Sequence, residues 1–123
     1  MRIAVASDDG MKISSHFGQT KGFAIIDIND DGKMNKSYIK NTFTGHARGM
    51  HNSHDHTNKH QTILNALTGC DVVISNGMGR KIYDDLTNAG IKPIITDETV
   101  VDTAIKLFLD RKLTDHPDKG CVH

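Results

Sequence analysis

Residues 71–96, DVVISNGMGRKIYDDLTNAGIKPIIT, decide the fold, because they contain a strand, a turn, a helix and a second strand in that order. The β-branched run at 71–75 is typical of a strand buried on both faces of a parallel sheet. Apolar residues then recur at helical spacing up to Gly90, a common residue just after a helix end. The run at 91–96 predicts the next strand, and its Pro93 favours an edge position. The unit therefore predicts two parallel strands joined by a right-handed crossover.

Three further strands are predicted before this unit. The runs at 2–7 and 22–28 are apolar and predict buried strands, whereas the run at 33–40 carries three lysines, which suit a sheet edge that must not aggregate. An Asp-Gly pair within NDDGK, residues 29–33, predicts a tight hairpin between the second and third strands. The hairpin makes the second strand antiparallel to its neighbours.

Two more helices complete the pattern. One has Thr57 as its N-cap and ends at Gly69. The other opens at Asp97 and Glu98, whose negative charges suit a helix N-terminus. Its predicted buried face consists of Val100, Val101, Ala104, Ile105, Phe108 and Leu109. The element order ββ βα βα βα predicts an α/β fold with a mixed five-stranded sheet, strand order 3-2-1-4-5, strand 2 antiparallel, and three helices.

This topology gathers four loops at one edge of the sheet, where strands 1, 3, 4 and 5 all end. The loops comprise residues 8–20, 41–59, 76–79 and 97–98. Ligands in open α/β sheets bind at the carboxyl ends of strands where the connections diverge. We therefore expect the functional site at this edge, with the NDDGK turn at the opposite edge as an ordinary solvated turn.

Length and composition indicate one domain and exclude some classes of function. The 123 residues predict a single α/β domain at 1–113 followed by a flexible C-terminal tail at 114–123. Fifteen basic and fifteen acidic residues argue against a general electrostatic grip on nucleic acid or an acidic membrane. No apolar run is long enough to span a bilayer. Cys70 and Cys121 form no CxxC motif, which indicates free thiols in a reducing cytoplasm.

The loop at 41–59, NTFTGHARGMHNSHDHTNK, is rich in histidine and has no apolar periodicity. Imidazole is a good ligand for Zn, Ni and Cu, so this loop and the residue after it provide candidate metal ligands. The candidates are His46, His51, His54, His56 and His60. The alternative is a solvated polar loop whose histidines bind metal only adventitiously.

Two shorter motifs lie in the other loops. In SSHFGQ, Phe17 can anchor the loop on the core while His16 points into the edge; the alternative is an ordinary surface histidine. The segment Asn76-Gly77-Met78-Gly79 joins a strand to a helix N-terminus, where glycines allow close backbone approach and unpaired N–H groups suit an anion. The alternative is a tight turn without a ligand. The motif is neither GxGxxG nor Walker A, so a nucleotide site is disfavoured.

Residues 3–28, IAVASDDGMKISSHFGQTKGFAIIDI, and 72–96 resemble the dinitrogenase iron–molybdenum cofactor biosynthesis family, which includes NifX, NafY and the C-terminal part of NifB. The resemblance covers most of 1–111, and its more specific parts are the HFG element and the strand–GMG–helix element. It implies a ribonuclease H-like fold and non-enzymatic binding of an iron–sulfur or molybdenum-containing cluster, received from donor proteins and passed to acceptor proteins. By position, His16 in the HFG element with Phe17 and Gly18 would contact the cluster, and the turn with Asn76, Gly77, Met78 and Gly79 would shape its pocket.

Two other functions compete with this one. The first is a binding module for a simple Zn, Ni or Cu ion, acting through the histidine-rich loop. The second is a metal-dependent nuclease, which needs carboxylates clustered around cations. Asp8 and Asp9 follow the first strand, but the fourth ends in Ser75-Asn76, so the nuclease is disfavoured. The sequence leaves the oligomeric state open.

Overall fold

The computed structural model describes residues 1–15, 17, 20–40 and 63–116. Five strands form one sheet in the order β3-β2-β1-β4-β5. Their bounds are Arg2–Ala6 (β1), Gly22–Ile28 (β2), Met34–Lys40 (β3), Val72–Ser75 (β4) and Lys92–Ile95 (β5). Strand β2 is antiparallel to β1 and β3, whereas β1, β4 and β5 are mutually parallel. The predicted sheet is therefore confirmed in strand order and direction.

Helices cover both faces of the sheet. Residues 63–66 are helical and form the described part of α1, followed by α2 at Arg80–Asn88 and α3 at Val101–Leu109. Ile63 of α1 and Leu86 of α2 pack with alternate residues of the strands in one apolar cluster. Val101 and Ile105 of α3 pack with the intervening strand residues in a second cluster on the opposite face. No helix in the described part of the chain is long and apolar enough to cross a membrane.

The predicted start of the last helix is wrong. Helix α3 begins at Val101 rather than at Asp97, because the preceding residues pair with the loop after β1. Val100 bridges Lys12 in antiparallel fashion, and the N–H of Ile13 donates to the carbonyl oxygen of Thr99 at 2.8 Å. These tertiary hydrogen bonds hold the segment extended despite its favourable acidic residues.

Two residues of the predicted buried face of this helix are also exposed. Val100 is 41% exposed and Leu109 is 43% exposed. Val100 precedes the helix, and Leu109 is its last residue, so neither faces the sheet as a mid-helix position would. The predicted cap at Thr57 lies outside the described residues.

The chain after α3 returns along the edge strand β5. The N–H of Ile95 donates to a carboxylate oxygen of Asp115 at 3.0 Å, and the N–H of His116 donates to the carbonyl oxygen of Ile95 at 2.6 Å. The first residues of the predicted tail thus contact β5, and residues 117–123 lie outside the described part of the chain. The histidine-rich loop at 41–59 also lies outside it.

Candidate functional site

The loop after β1 is shaped by its own polar side chains. A carboxylate oxygen of Asp9 accepts the N–H groups of Met11 at 2.8 Å and Lys12 at 2.9 Å. These backbone hydrogen bonds stabilise the charged carboxylate and lower the pKa of Asp9. The hydroxyl of Ser7 donates to the carbonyl oxygen of Lys12 at 2.5 Å. The loop is thereby folded back over the end of its own strand.

Backbone hydrogen bonds join this loop to the turn after β4, residues 76–79. The N–H of Phe17 donates to the carbonyl oxygen of Gly77 at 3.0 Å, and the N–H of Asn76 donates to that of Ser14 at 3.3 Å. The two connections therefore meet at the carboxyl edge of β1 and β4, as the sequence predicts. This edge is where the strand order diverges to opposite sides.

Phe17 and Met78 anchor these two connections in the core. Phe17 is 1% exposed, and its ring lies 5.5 Å from that of Phe23. Met78 is 6% exposed and belongs to the same apolar cluster. Their buried side chains therefore attach both connections to the apolar core beneath the carboxyl edge of the sheet.

Asn76 ties the turn after β4 to the loop after β5. Its side-chain amide donates to the carbonyl oxygens of Thr96 at 2.7 Å and Glu98 at 2.6 Å. Sequence reasoning proposed Asn76 as a cofactor contact and did not foresee this link between two connections. An asparagine that directly follows a buried strand is the signal that could have indicated it, because its amide is placed to bond neighbouring carbonyls.

The two glycines of the turn differ in their surroundings. A Cβ at Gly77 would lie 2.9 Å from the carbonyl oxygen of Ser15, so the close approach of the two backbones requires glycine. Among the residues that the structure describes, a Cβ at Gly79 would meet no atom within 4 Å. Gly79 is also the N-cap of α2 and has no side chain to accept a hydrogen bond, so the described residues leave open space beside the N-terminus of this helix.

Arg80 adds a cation at this position, which sequence reasoning missed. Its guanidinium lies 3.9 Å from a carboxylate oxygen of Asp84 and 5.9 Å from the centre of the Tyr83 ring, and its side chain is about half exposed. The long separation from Asp84 leaves the charge weakly engaged. Its position directly after the last glycine of GMG is the signal in the sequence.

A known sequence family matches most of this chain. The model of the family described as "Dinitrogenase iron-molybdenum cofactor" matches residues 1–111. The chain belongs to this family. The resemblance inferred from the HFG and GMG elements is thereby confirmed.

The chain is also similar to three curated proteins, two of which are named NifX and NifB. An uncharacterized protein of Methanocaldococcus jannaschii is 33% identical over 92% of this chain and 89% of its own length. Protein NifX of Sinorhizobium fredii is 29% identical over 80% of this chain and 61% of its own length. The FeMo cofactor biosynthesis protein NifB of Herbaspirillum seropedicae is 26% identical over 88% of this chain, which spans only 20% of NifB.

Solved structures share the fold. The crystal structure of PH0822 has a TM-score of 0.72 at 23% identity, and the match covers 94% of both chains. The apo form of the orange protein from Desulfovibrio gigas has a TM-score of 0.65 at 23% identity, covering 94% of this chain and 92% of that one. Both similarities concern the α/β architecture.

Many of the predicted site residues fall outside the described ranges. They are His16, Gly18 and the metal-ligand candidates His46, His51, His54, His56 and His60. Within the described ranges, no group of three or more His, Cys, Asp or Glu residues is arranged to hold a metal ion.

Asp8 and Asp9, the two acids considered as nuclease ligands, accept hydrogen bonds from backbone N–H groups of the connection from β1 to β2. A carboxylate oxygen of Asp8 accepts the N–H of Lys21 at 2.9 Å, and Asp9 accepts the two N–H groups described above. Both carboxylates therefore have a structural use in shaping the connection from β1 to β2.

Proposed function

We propose that this protein binds a metal–sulfur cluster or an iron–molybdenum cofactor precursor as cargo and passes it to an acceptor protein, without catalysing a reaction. The observation that carries the proposal is the hydrogen-bonded junction of the loop after β1 with the GMG turn, in a chain that belongs to this cofactor family. That junction joins Phe17 of the HFG element to Gly77 of the GMG turn, and this contact supports the proposal.

The chemistry of this edge suits an anionic cluster. Metal–sulfur clusters commonly carry net negative charge, and a helix N-terminus favours an anion through its unpaired N–H groups and its dipole. Gly79 leaves open space at the start of α2, and Arg80 places a cation beside it. Together these features would hold a cluster by charge and backbone contact.

Histidines would add direct ligands. We propose His16 as a ligand and Gly18 as a contact, because both flank Phe17, whose N–H is bonded to Gly77. The histidines of the loop at 41–59, together with His60, are proposed as further ligands on the chemistry of imidazole alone: His46, His51, His54, His56 and His60. Imidazole ligands bind iron and other transition metals well.

The position of the Cys70 thiol also fits a protein that binds the cluster only temporarily. Stable iron–sulfur sites usually have four cysteine ligands. Cys70 is buried, and its burial raises the pKa of the thiol. It lies two residues before β4, at the edge of the sheet opposite the junction, next to Asp71, whose N–H donates to the carbonyl oxygen of Arg2. Cys70 is therefore available neither as a ligand at the junction nor as a surface nucleophile.

The test is anaerobic incubation with iron and sulfide, with and without molybdate, followed by desalting and by iron, molybdenum and sulfide analysis. We expect a bound chromophore with sulfide. His16→Ala and Gly79→Val should each weaken binding by at least about tenfold, because one removes a ligand and the other fills the open space. Asn88→Val, at the exposed far end of the same helix, is the matched control and should bind as the wild type does.

Other outcomes would contradict the proposal. Wild-type protein that retains no cluster, or variants at His16 and Gly79 that bind normally, would refute it. Binding of Zn, Ni or Cu without sulfide, lost on replacing His51, His54 and His56 but kept in His16→Ala, would make the protein a simple ion-binding module. Magnesium-dependent cleavage of nucleic acid that is lost in Asp8→Asn would refute the non-enzymatic role.

A further inference from the structure

Large apolar side chains are exposed on one layer of this molecule. In the described part of the chain they are Met1, Met11, Met34, Tyr38, Val100 and Leu109. Met34 and Tyr38 stand opposite Ile28 and Ala24, which face α3. Met11 is tied to the start of α3, because its carbonyl oxygen accepts the N–H of Val101. Met1 lines one cavity with Phe108 and Leu109 of α3. All six thus lie on or around the layer that contains α3, which we call the α3 layer.

Among the described residues, a single helix, α3, covers this face of the five-stranded sheet. Five strands span about 19 Å at a spacing near 4.8 Å, whereas a helix with its side chains is about 10 Å wide. Two helices, α1 and α2, cover the other face. Between α3 and the strands β2 and β3, the described residues line a groove of about 420 Å³. Ile26 and Ile105 contribute to its lining, and Met34 and Leu109 border it with exposed side chains.

The charges along this groove alternate in sign. The ammonium of Lys36 lies 3.1 Å from a carboxylate oxygen of Asp102, which joins β3 to the first turn of α3. One turn further along, Lys106 of α3 also lines the groove, and so does Asp110, the C-cap residue that directly follows the helix. Neither of these two forms an ion pair within the described residues. Lys106 and Asp110, four residues apart, are therefore available to form ion pairs with a partner surface.

This pattern is complementary to itself. A two-fold axis perpendicular to α3, level with residue 108 but on the groove side of the helix, would pack two copies of α3 antiparallel. Lys106 would then face the partner subunit's Asp110, and Asp110 would face the partner subunit's Lys106. A symmetric dimer requires such a surface, because each residue contacts its counterpart reciprocally. The exposed Leu109 and Met34 side chains would fill the space between the two charge pairs.

We infer that the α3 layer is the interface of a symmetric homodimer. The self-complementary charges select a second copy of this chain as the occupant of the groove, because an unrelated partner needs no reciprocal pattern. The amino end of α3 lies at the carboxyl edge of the sheet, next to Lys12. Antiparallel packing would therefore direct the two cargo edges away from each other, so that each subunit could exchange cargo separately.

Sedimentation velocity over a range of concentrations tests this inference without any cargo. We expect the apparent mass to rise from 13.5 kDa toward twice that value. Lys106→Asp and Asp110→Lys should each raise the dissociation constant by at least about tenfold, because each places like charges face to face. The double variant carries both changes and restores two opposite-charge pairs, so its dissociation constant should return to within about threefold of the wild-type value.

Lys81→Asp on α2 is the matched control, since it reverses an exposed charge on the opposite layer and should not change dimerisation. Circular dichroism and thermal melting would verify that every variant is folded. A wild-type chain that stays at 13.5 kDa at all concentrations overturns the inference. So does a double variant that remains dissociated, or a dimer that neither single change weakens. None of these results depends on whether the protein carries a cluster.

Discussion

At the scale of single residues, Tyr38 links the edge strand β3 to the loop beside the candidate site. Its single O–H proton is shared between the carbonyl oxygens of Ser7 at 2.9 Å and Asp8 at 3.0 Å. Partial burial raises the pKa of this phenol, and the nearby carboxylates raise it further. The side chain can cross to the loop because Gly22 has no Cβ. A Cβ there would overlap the Tyr38 phenol and the carbonyl oxygen of Ile39.

We therefore predict that Gly22→Ala lowers the free energy of unfolding by about 1–3 kcal/mol, the usual cost of overpacking. Gly79→Ala is the control, because its Cβ would enter open space. Urea unfolding followed by circular dichroism measures both. Equal stability of the two variants would show that Tyr38 moves aside without cost.

At the scale of elements, the loop after β1 depends on one carboxylate. Asp9 receives two backbone N–H groups, and its pKa is lowered from the ordinary value of 3.8. In the unfolded chain this carboxylate takes up a proton at a higher pH than in the folded protein. Its contribution to stability is therefore complete above the unfolded pKa and is lost as the pH falls through the folded one.

We predict that Asp9→Asn is less stable than the wild type near neutral pH. The difference should shrink as the pH falls below 3.8, since the wild-type carboxyl then also becomes neutral. Thermal melts at several pH values give the comparison, with Asp30→Asn in the exposed turn before β3 as the control. If the stability difference between Asp9→Asn and the wild type stayed constant with pH, the charge on Asp9 would not stabilise the loop.

At the scale of the whole molecule, the segment after α3 lies along the edge strand β5. The backbone of Ile95 forms hydrogen bonds with the carboxylate of Asp115 and with the N–H of His116. The imidazole Nε2 of His116 also lies 2.8 Å from a carboxylate oxygen of Asp97, in the loop after β5. The segment after α3 therefore returns to the carboxyl edge, where the candidate site lies.

Two truncations test where the folded domain ends. A chain that ends at residue 116 should melt like the full chain. A chain that ends at residue 113 loses two hydrogen bonds to Ile95 and should be less stable by about 1–3 kcal/mol, since each is worth about 0.5–1.5 kcal/mol. Differential scanning calorimetry measures both. Identical melting of the two truncated chains would place the domain end at 113, as sequence reasoning proposed.

Much of the fold could be predicted because its signals are local. Apolar runs and the Asp-Gly turn indicated the strands, and the strand–helix–strand unit then determined strand order through the handedness of crossovers. The helix that starts at Val101 was predicted too early, because acidic residues at 97 and 98 favour a helix start only in the absence of competing tertiary bonds. The loop after β1 supplies those bonds at Thr99 and Val100.

The sequence by itself determined the family, the order of the sheet and the edge where the loops meet, since short motifs and periodicity carry that information. Only the tertiary structure decided what the side chains at that edge do. The side-chain amide of Asn76 donates hydrogen bonds to two carbonyl oxygens. Met78 is buried, and the described residues leave open space at Gly79, next to Arg80. These roles depend on atoms distant in the chain, and so does the return of His116 to Asp97. Contacts of that kind follow from packing rather than from local sequence.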